Sequence, residues 1–444
     1  MLLGEIRKLY GGRTIEYMGA NNHELWLSMY RGEMPWLNAD VMSLNLPCTI
    51  AGKIATTVTL EMESHVNGHD ELDEEYQVLL NDIKRITEYG LALGGVIIKP
   101  FQAEENKVSY DVVTPDRFLP LDVDSFGNIS RIVFLEQIQK LEGRTVIYYT
   151  RVEEHDRQVG QYIVKNRAYR SESQYTIGDE ISLELVEEWQ DIAEEETYTD
   201  VEGNLFGYYK NAQANNLDLN SPLGVSCFSR ATSLIQDADE QYSRLIWENE
   251  GGELAIDADI TMFMGDYLNE IPRGKERLFR KLNGGDDSMY QVFSPQLRDV
   301  SLINTLNEIL KKIEIVCSLS PGMLSNVDYM AKTATEIKSM KQEFYSTVVG
   351  NQRNLEVALR DTAKAMAYWL GIKGELDIAF DFDDSVVVDS TTEQNIRLQE
   401  VAAGIIKPEE YLKWRYGVSE EEAKDMMPEP EEPQEKYNQW DEEE

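Results

Sequence analysis

Histidine and cysteine are scarce in this chain of 444 residues. Four histidines, His23, His65, His69 and His155, are a thin supply for general acid–base chemistry. Three cysteines, Cys48, Cys227 and Cys317, cannot make a disulfide framework and fit a reducing compartment. Long apolar runs are missing: nothing approaches the roughly 18 residues a membrane span needs. The start, Met1 to Arg7, lacks the apolar stretch of a signal peptide. No Walker A, GxGxxG, GxSxG or HExxH sequence occurs, which argues against the nucleotide, serine-hydrolase and zinc-protease chemistries those motifs carry. Positive charge is the other deficit, with 42 basic residues against 81 acidic and a net charge of −39. The segment Pro428 to Glu444 supplies only −7 of this, so the acidity belongs to the body of the chain. Such a field repels nucleic acid at long range. It argues against a protein that grips DNA and still allows one that DNA passes without sticking.

The composition is that of an ordinary folded soluble protein, 42% hydrophobic. Its length suits about three domains. The first third reads as helical. Pro47 stands at a favourable helix start, and Ile50, Ala51, Ile54, Ala55 and Val58 follow at helical spacing. A second helix is expected from Asp70 to Ala92, stopped by Gly94-Gly95. From Val96 to Gln190, short β-rich runs between turn residues predict an antiparallel region. Ala193 to Ser221 reads as a long loop. A helix over 229–250, ended by Gly251-Gly252, leads into a strand in which Leu254, Ile256, Ala258, Ile260, Met262 and Met264 alternate with mostly polar residues. A β-like piece at Met289 to Phe293 and a helix over 301–317 follow, so a small β excursion is held between two helices. Ser318 to Lys332 contains Pro321-Gly322 and has no period. Thr333-Ala334-Thr335-Glu336 is a capping box. It opens a helix of some 37 residues, about 55 Å long, with a kink expected at Gly350. A strand over 376–382, helices starting at Ser390 and Pro408, a last turn at Ser419 and a disordered acidic tail from Met427 complete the pattern. The fold class is α+β.

Four clusters could carry chemistry. His65 and His69, with Glu61, Glu63 and Asp70 near, could ligate a metal, but Asn67-Gly68 between them favours a surface linker. Asp122 to Gly127 begins like a calcium loop, but Phe126 stands at a ligand position and Val133 where the bidentate Glu belongs, so a β-turn is expected. Asp377, Asp381 and Asp383 share one strand face and could hold metals in a nuclease, or be a solvated face. Arg273, Lys275, Arg277, Arg280 and Lys281 form the densest basic cluster, a local reversal of sign. It fits phosphates or an acidic partner as well as it fits a solvated helix or loop.

The order of elements resembles the portal protein of tailed bacteriophages, in the branch typical of phages of Gram-positive hosts. Local phrases are similar too: Ala92-Leu93-Gly94-Gly95-Val96-Ile97-Ile98-Lys99-Pro100, Pro115-Asp116-Arg117-Phe118-Leu119-Pro120-Leu121, the run Tyr148 to His155, Ser221-Pro222-Leu223-Gly224-Val225-Ser226, and the Thr333 to Glu336 box. The resemblance implies a dodecameric ring at one capsid vertex, in the virion, assembled in the host cytoplasm. It implies a portal-like subunit with a wing (1–228 and 334–390), a stem (229–250 and 301–317), a small α/β clip (251–300), a tunnel loop (318–333), crown helices (391–426) and the tail (427–444). Double-stranded DNA would pass without sequence specificity. The partners implied are the major capsid protein and scaffold, the large terminase subunit carrying the ATPase, and a head–tail adaptor. No membrane, cofactor, metal or catalytic residue is implied. The DNA-channel loop would present Asn326, Asp328, Tyr329, Met330 and Lys332, although Lys332 equally suits the helix start and a pair with Glu336. The basic cluster would serve docking at the clip or brush DNA at the channel exit. The competing classes are a metal-dependent nuclease and another phage structural adaptor.

Overall fold

The protein is described from a computed structural model covering residues 2–11, 20–104, 107–219, 221–252, 255–259, 279–282, 290–293, 296–326, 334–382, 390–416, 423–424 and 426. Two compact units result, Met1–Phe382 and Asp383–Glu444. The first opens with α1 (Leu2–Leu9), α2 (Ala20–Arg31), α3 (Leu46–Thr59), β1 (Met62–Asn67), α4 (Asp70–Asn81) and α5 (Ile83–Leu93). Pro47 does stand in the first turn of α3. The single helix expected over 70–92 is two, because Asp82 steps out of register. Its N–H returns to the Leu79 carbonyl, and its carboxylate accepts from Tyr110 at 3.2 Å and pairs with Arg85. The break frees α4 to pack on β1 while α5 packs on α3.

The β region is antiparallel, as its turns predict, and forms two sheets. β2 (Gly95–Glu104), β3 (Lys107–Val113), β4 (Phe118–Val123), β5 (Ile129–Glu142), β6 (Thr145–Gln158), β7 (Gln161–Ser171) and β8 (Asp179–Ile181) come first. The stretch expected as a loop over 193–221 holds two more strands, β9 (Glu195–Tyr198) and β10 (Gly207–Lys210). β10 joins β2 and β3 in a three-stranded sheet, and β9 pairs with β7 beside the sheet β4-β5-β6-β7-β8. Alternation decides the faces of β5. Val133 and Leu135 meet Ile6 of α1, while Ile132 and Phe134 join Ile97, Val113 and Phe206. The Asp122 to Gly127 segment makes the expected turn, with Asp124 accepting from the Phe126 and Asn128 amides at 2.9 Å each.

Where the two sheets meet, Lys99 of β2 reaches Glu153 of β6 at 2.7 Å. His155 bridges Glu153 at 2.7 Å and Tyr162 at 2.9 Å, and Arg151 adds a contact to Glu153 at 3.2 Å. Burial pushes the Glu153 carboxyl up, yet Lys99, His155 and Arg151 outweigh it and hold it well below the usual range. Breaking one partner of such a set strands a buried charge.

The rest of the unit is α6 (Thr232–Gly251), β11 (Ala255–Asp259), β12 (Phe279–Leu282), β13 (Tyr290–Phe293), α7 (Asp299–Val316), α8 (Ala334–Trp369) and β14 (Asp377–Phe382). β14 pairs with β1, from Met62 opposite Phe382 to Asn67 opposite Asp377. The main core gathers α3, α5 and α8 with the inner ends of α6 and α7, through Ile50, Ile54, Ile86, Ile235, Ile313 and Leu359 among others. The cysteines are free thiols, Cys48 exposed and Cys227 and Cys317 buried. No helix among the described residues is long and apolar enough to cross a membrane. The second unit contains α9 (Ser390–Ala402) and α10 (Pro408–Tyr416), joined by Arg397 lying 4.3 Å above the Trp414 ring. The expected turn at Ser419 to Glu422 and the acidic tail lie outside the described residues.

His23 of α2 is buried against the Leu93 carbonyl at 3.1 Å, and burial lowers its pKa from 6.5 to about 3. A folded pKa below the unfolded one gives stability that is complete above pH 6.5 and is lost as pH falls toward 3. At pH 5 this one group costs about 2 kcal/mol. Urea unfolding at pH 7.5 and pH 5 should show that loss, and His23→Gln should remove about 2 kcal/mol of the pH dependence. An unchanged slope in the variant refutes the assignment.

Candidate functional site

The stem expected at 229–250 and 301–317 is an antiparallel pair, α6 against α7. A short 3-10 turn, Ser229–Ala231, precedes α6. At the far end Arg298 closes the pair on Glu248, with Nε to Oε1 at 3.1 Å and Nη2 to Oε2 at 2.7 Å. That bidentate pair holds together the two points between which the chain leaves and returns. Midway, Gln241 donates to the Leu302 carbonyl at 3.3 Å. Toward the core, the buried Asp239 accepts from Trp36 Nε1 at 3.0 Å and the Leu44 amide at 2.8 Å. Burial raises its pKa, since no cation is among these partners.

Among the described residues, the excursion between the helices holds a three-stranded sheet in the order β12-β11-β13, with β12 parallel and β13 antiparallel to β11. The alternating strand expected over 254–264 is described as Ala255–Asp259, and Met262 and Met264 lie outside the described residues. Of the basic cluster, Arg280 and Lys281 stand on β12 rather than on a helix or loop. Their backbone register places Arg280 opposite Asp257 and Lys281 opposite Ala258. Arg273, Lys275 and Arg277 lie outside the described residues.

α7 ends in a Schellman motif: the Leu319 N–H bonds the Glu314 carbonyl at 2.8 Å and the Ser318 N–H bonds the Ile315 carbonyl at 3.2 Å. Ser318 takes the left-handed position with φ 55°. α2, α8 and α9 close by the same bond pattern with Gly32, Gly371 and Gly404 at that position. The segment after Ser318 has no regular structure, as its lack of period predicts, yet it is fixed. Glu314 is 1% exposed. Its Oε1 accepts from the amides of Gly322 at 3.1 Å, Leu324 at 2.5 Å and Ser325 at 2.7 Å, and its Oε2 accepts from Ser325 Oγ at 2.8 Å. Asn307 then holds Asn326 twice, accepting from its amide at 2.7 Å and donating to its carbonyl at 3.0 Å. Asn326 is therefore exposed but tied by its backbone to α7. Asp328, Tyr329, Met330 and Lys332 lie outside the described residues.

α8 runs 36 residues without interruption, about 54 Å. Gly350, where a kink was expected, leaves room for a neighbour: a β-carbon there would lie 3.1 Å from Ala212 Cβ. The next residue, the buried Asn351, accepts from Tyr209 OH and from the Ala212 amide, each at 3.1 Å.

The other sequence candidates do not converge. His65 faces Asp73 at 3.4 Å, while His69 is the residue preceding α4. Asp377 accepts from Asn67 at 3.0 Å, Asp381 stands opposite Glu63, and Asp383 lies outside the described residues. Among the described residues no three of His, Cys, Asp and Glu are grouped to hold a metal. The residues missed by sequence reading are Glu314, Asn307, Ser318 and Asp239. One signal existed for Glu314: an acid beside Ile313 on the stripe Leu306, Ile309, Leu310, Ile313, just ahead of Pro321-Gly322.

Residues 70–436 match the family model described as "Phage portal protein, SPP1 Gp6-like". A search of curated proteins returned no match. Among solved structures, a chain of "Neck of native GTA particle computed with C12 symmetry" is 12% identical, with 93% of this chain and 98% of that one covered at a TM-score of 0.46. A chain of "Virion of native gene transfer agent (GTA) particle" is also 12% identical, with 94% and 99% covered at 0.44.

A serine in the left-handed region carries a steric cost that glycine avoids, about 1 kcal/mol. Ser318→Gly should stabilise the protein by roughly 0.5–1 kcal/mol and Ser318→Val should destabilise it by more, as measured by denaturant midpoint. Equal midpoints for all three would contradict the assigned conformation.

Proposed function

The chain belongs to the SPP1 Gp6-like family of phage portal proteins, a structural family, and we propose that it closes into a dodecameric ring through which phage DNA is packaged and ejected. In this reading the wing is 1–228 and 334–390, α6 and α7 are the stem, 251–300 is the clip, 391–426 is the crown and 427–444 is the tail. The loop at 318–333 rings the channel and presents Asn326, Asp328, Tyr329, Met330 and Lys332 to passing DNA. The clip, with Arg273, Lys275, Arg277, Arg280 and Lys281, docks the large terminase subunit and later the head–tail adaptor. The ring sits in the virion at a capsid vertex, among the major capsid protein and scaffold, after assembly in the host cytoplasm.

The observation that supports a ring is the outer surface of the stem pair. Trp247 is 68% exposed, Val300 66%, Ile303 50% and Ile315 61%. Covering this apolar surface with a neighbouring copy is the gain that supports the ring reading. At roughly 1.5 kcal/mol for each such side chain covered, one interface gains several kcal/mol. Head-to-tail repetition of the contact closes a ring in which every copy is both donor and acceptor of the same surface. The charge of −39 per chain opposes that closure and is screened by salt. The same negative field lines the path of a polyanion with repulsion from all sides, so that DNA slides without being held.

Mass photometry or negative-stain imaging tests the assembly. Rings should form at moderate salt and weaken at low salt. Trp247→Glu and Ile303→Glu should each lower the ring fraction by about tenfold or more without unfolding the chain, since both residues are solvent-facing in one subunit. Monomers at every salt concentration would refute the ring. Reversal of Arg273, Arg277 and Arg280 to Glu should leave rings intact and block DNA packaging or tail joining, scored as infectious particles. Normal particle yields from that variant would reduce the cluster to a solvated surface.

A further inference from the structure

The ten residues after α7 hang on two side chains of that helix. Glu314 and Asn307 are seven positions apart, hence on one face two turns, about 10 Å, from each other. Helical side chains lean toward the N-terminus, so Glu314 reaches back along the helix toward Asn307. The two meet adjacent residues of the loop, Ser325 and Asn326. The described part of the loop, up to Asn326, therefore doubles back along α7. Three consecutive-turn amides and one hydroxyl converge on a single buried carboxylate whose donors among the described residues are all neutral. Leu319, buried behind the Schellman turn, and Cys317 anchor the start of the same segment in the main core.

We propose that Glu314 is a positioning residue: it makes the base of the channel loop and the stem helix one rigid body, so that the height at which the loop meets DNA is set by α7. The proposal rests on the portal reading above. A carboxylate suits this task because one oxygen can accept several amides at once, and removing it leaves buried N–H groups with no acceptor. Glutamine is the informative replacement. Its carbonyl oxygen can stand where Oε1 stands and keep the three amides. Its amide nitrogen can donate to Ser325 Oγ, which rotates to accept.

The test compares wild type, Glu314→Ala and Glu314→Gln as assembled rings, reading amide hydrogen exchange at Gly322, Leu324 and Ser325 together with the number of genomes packaged and retained per particle. Glu314→Ala should speed exchange at these amides by about tenfold or more and cut packaged genomes by a similar factor, with rings still forming. Glu314→Gln should restore both. If exchange stays slow in Glu314→Ala, or rises while packaging stays at the wild-type level, the proposal is wrong. Should Glu314→Ala fail to assemble, Ser325→Ala removes a single donor and asks the same question: exchange at Gly322 and Leu324 should rise about threefold with packaging falling in step, and unchanged exchange overturns the idea. Wild-type rings that package nothing would sink the portal reading, and exchange alone would then decide whether Glu314 holds the loop.

Discussion

The backbone of Gly207 lies so close to α8 that a β-carbon there would sit 2.1 Å from Thr362 Oγ1 and 2.2 Å from the Ala358 carbonyl oxygen. Much of the first unit depends on that approach. It seats β10 on the long helix, β10 carries β2 and β3, and Lys99 of β2 carries the larger sheet through Glu153. Two to three turns earlier in α8, Gly350 and Asn351 receive the chain that leaves β10. Further toward its start, Phe344 and Val348 share a core with Ile313, Cys317 and Leu319 at the end of α7. A helix of 36 residues can do this because it is stiff over its whole length and presents the same stripe to partners that are remote in sequence.

A second theme is the use of acids as acceptors. A chain with 81 acidic residues cannot pair them all with 42 bases, and burying a lone carboxylate is costly. Three buried acids show how the cost is met. Glu153 is surrounded by Lys99, Arg151 and His155. Asp239 and Glu314 instead collect neutral N–H and O–H donors, most of them from irregular backbone. The two carboxylates sit on α6 and α7, and each ties down a connection: residues 36–44 to α6 and residues 322–325 to α7. Irregular segments have backbone groups that no sheet or helix satisfies. Here α6 and α7 supply the missing acceptors.

These features bear on function in one way. The inner ends of α6 and α7 are locked into the core and into their neighbouring loops, while the outer part of the hairpin shows Trp247, Val300 and Ile303 to solvent. In the ring proposed above, such rigid inner attachments would hold the apolar outer hairpin in place before a neighbour arrives.

Local sequence by itself determined most of the helices, the antiparallel nature of the β region, the β excursion between α6 and α7 and the long α8. Each was legible because its signal is local: a 3.6-residue stripe, a capping box, paired glycines, turn residues between β-branched runs. The resemblance of short phrases in the right order also sufficed to name the family. What the sequence could not show was anything whose cause lies far along the chain. β1 is a six-residue strand only because β14 pairs with it some 310 residues later, and β10 only because β2 and α8 receive it. Asp82 splits a periodic helix because Tyr110 and Arg85 draw its carboxylate aside and the two halves pack on different partners. The same holds for Glu314. Its side chain belongs to an apolar stripe by position and becomes the anchor of a loop only when Gly322, Leu324 and Ser325 fold back onto it, a convergence that tertiary structure alone decides.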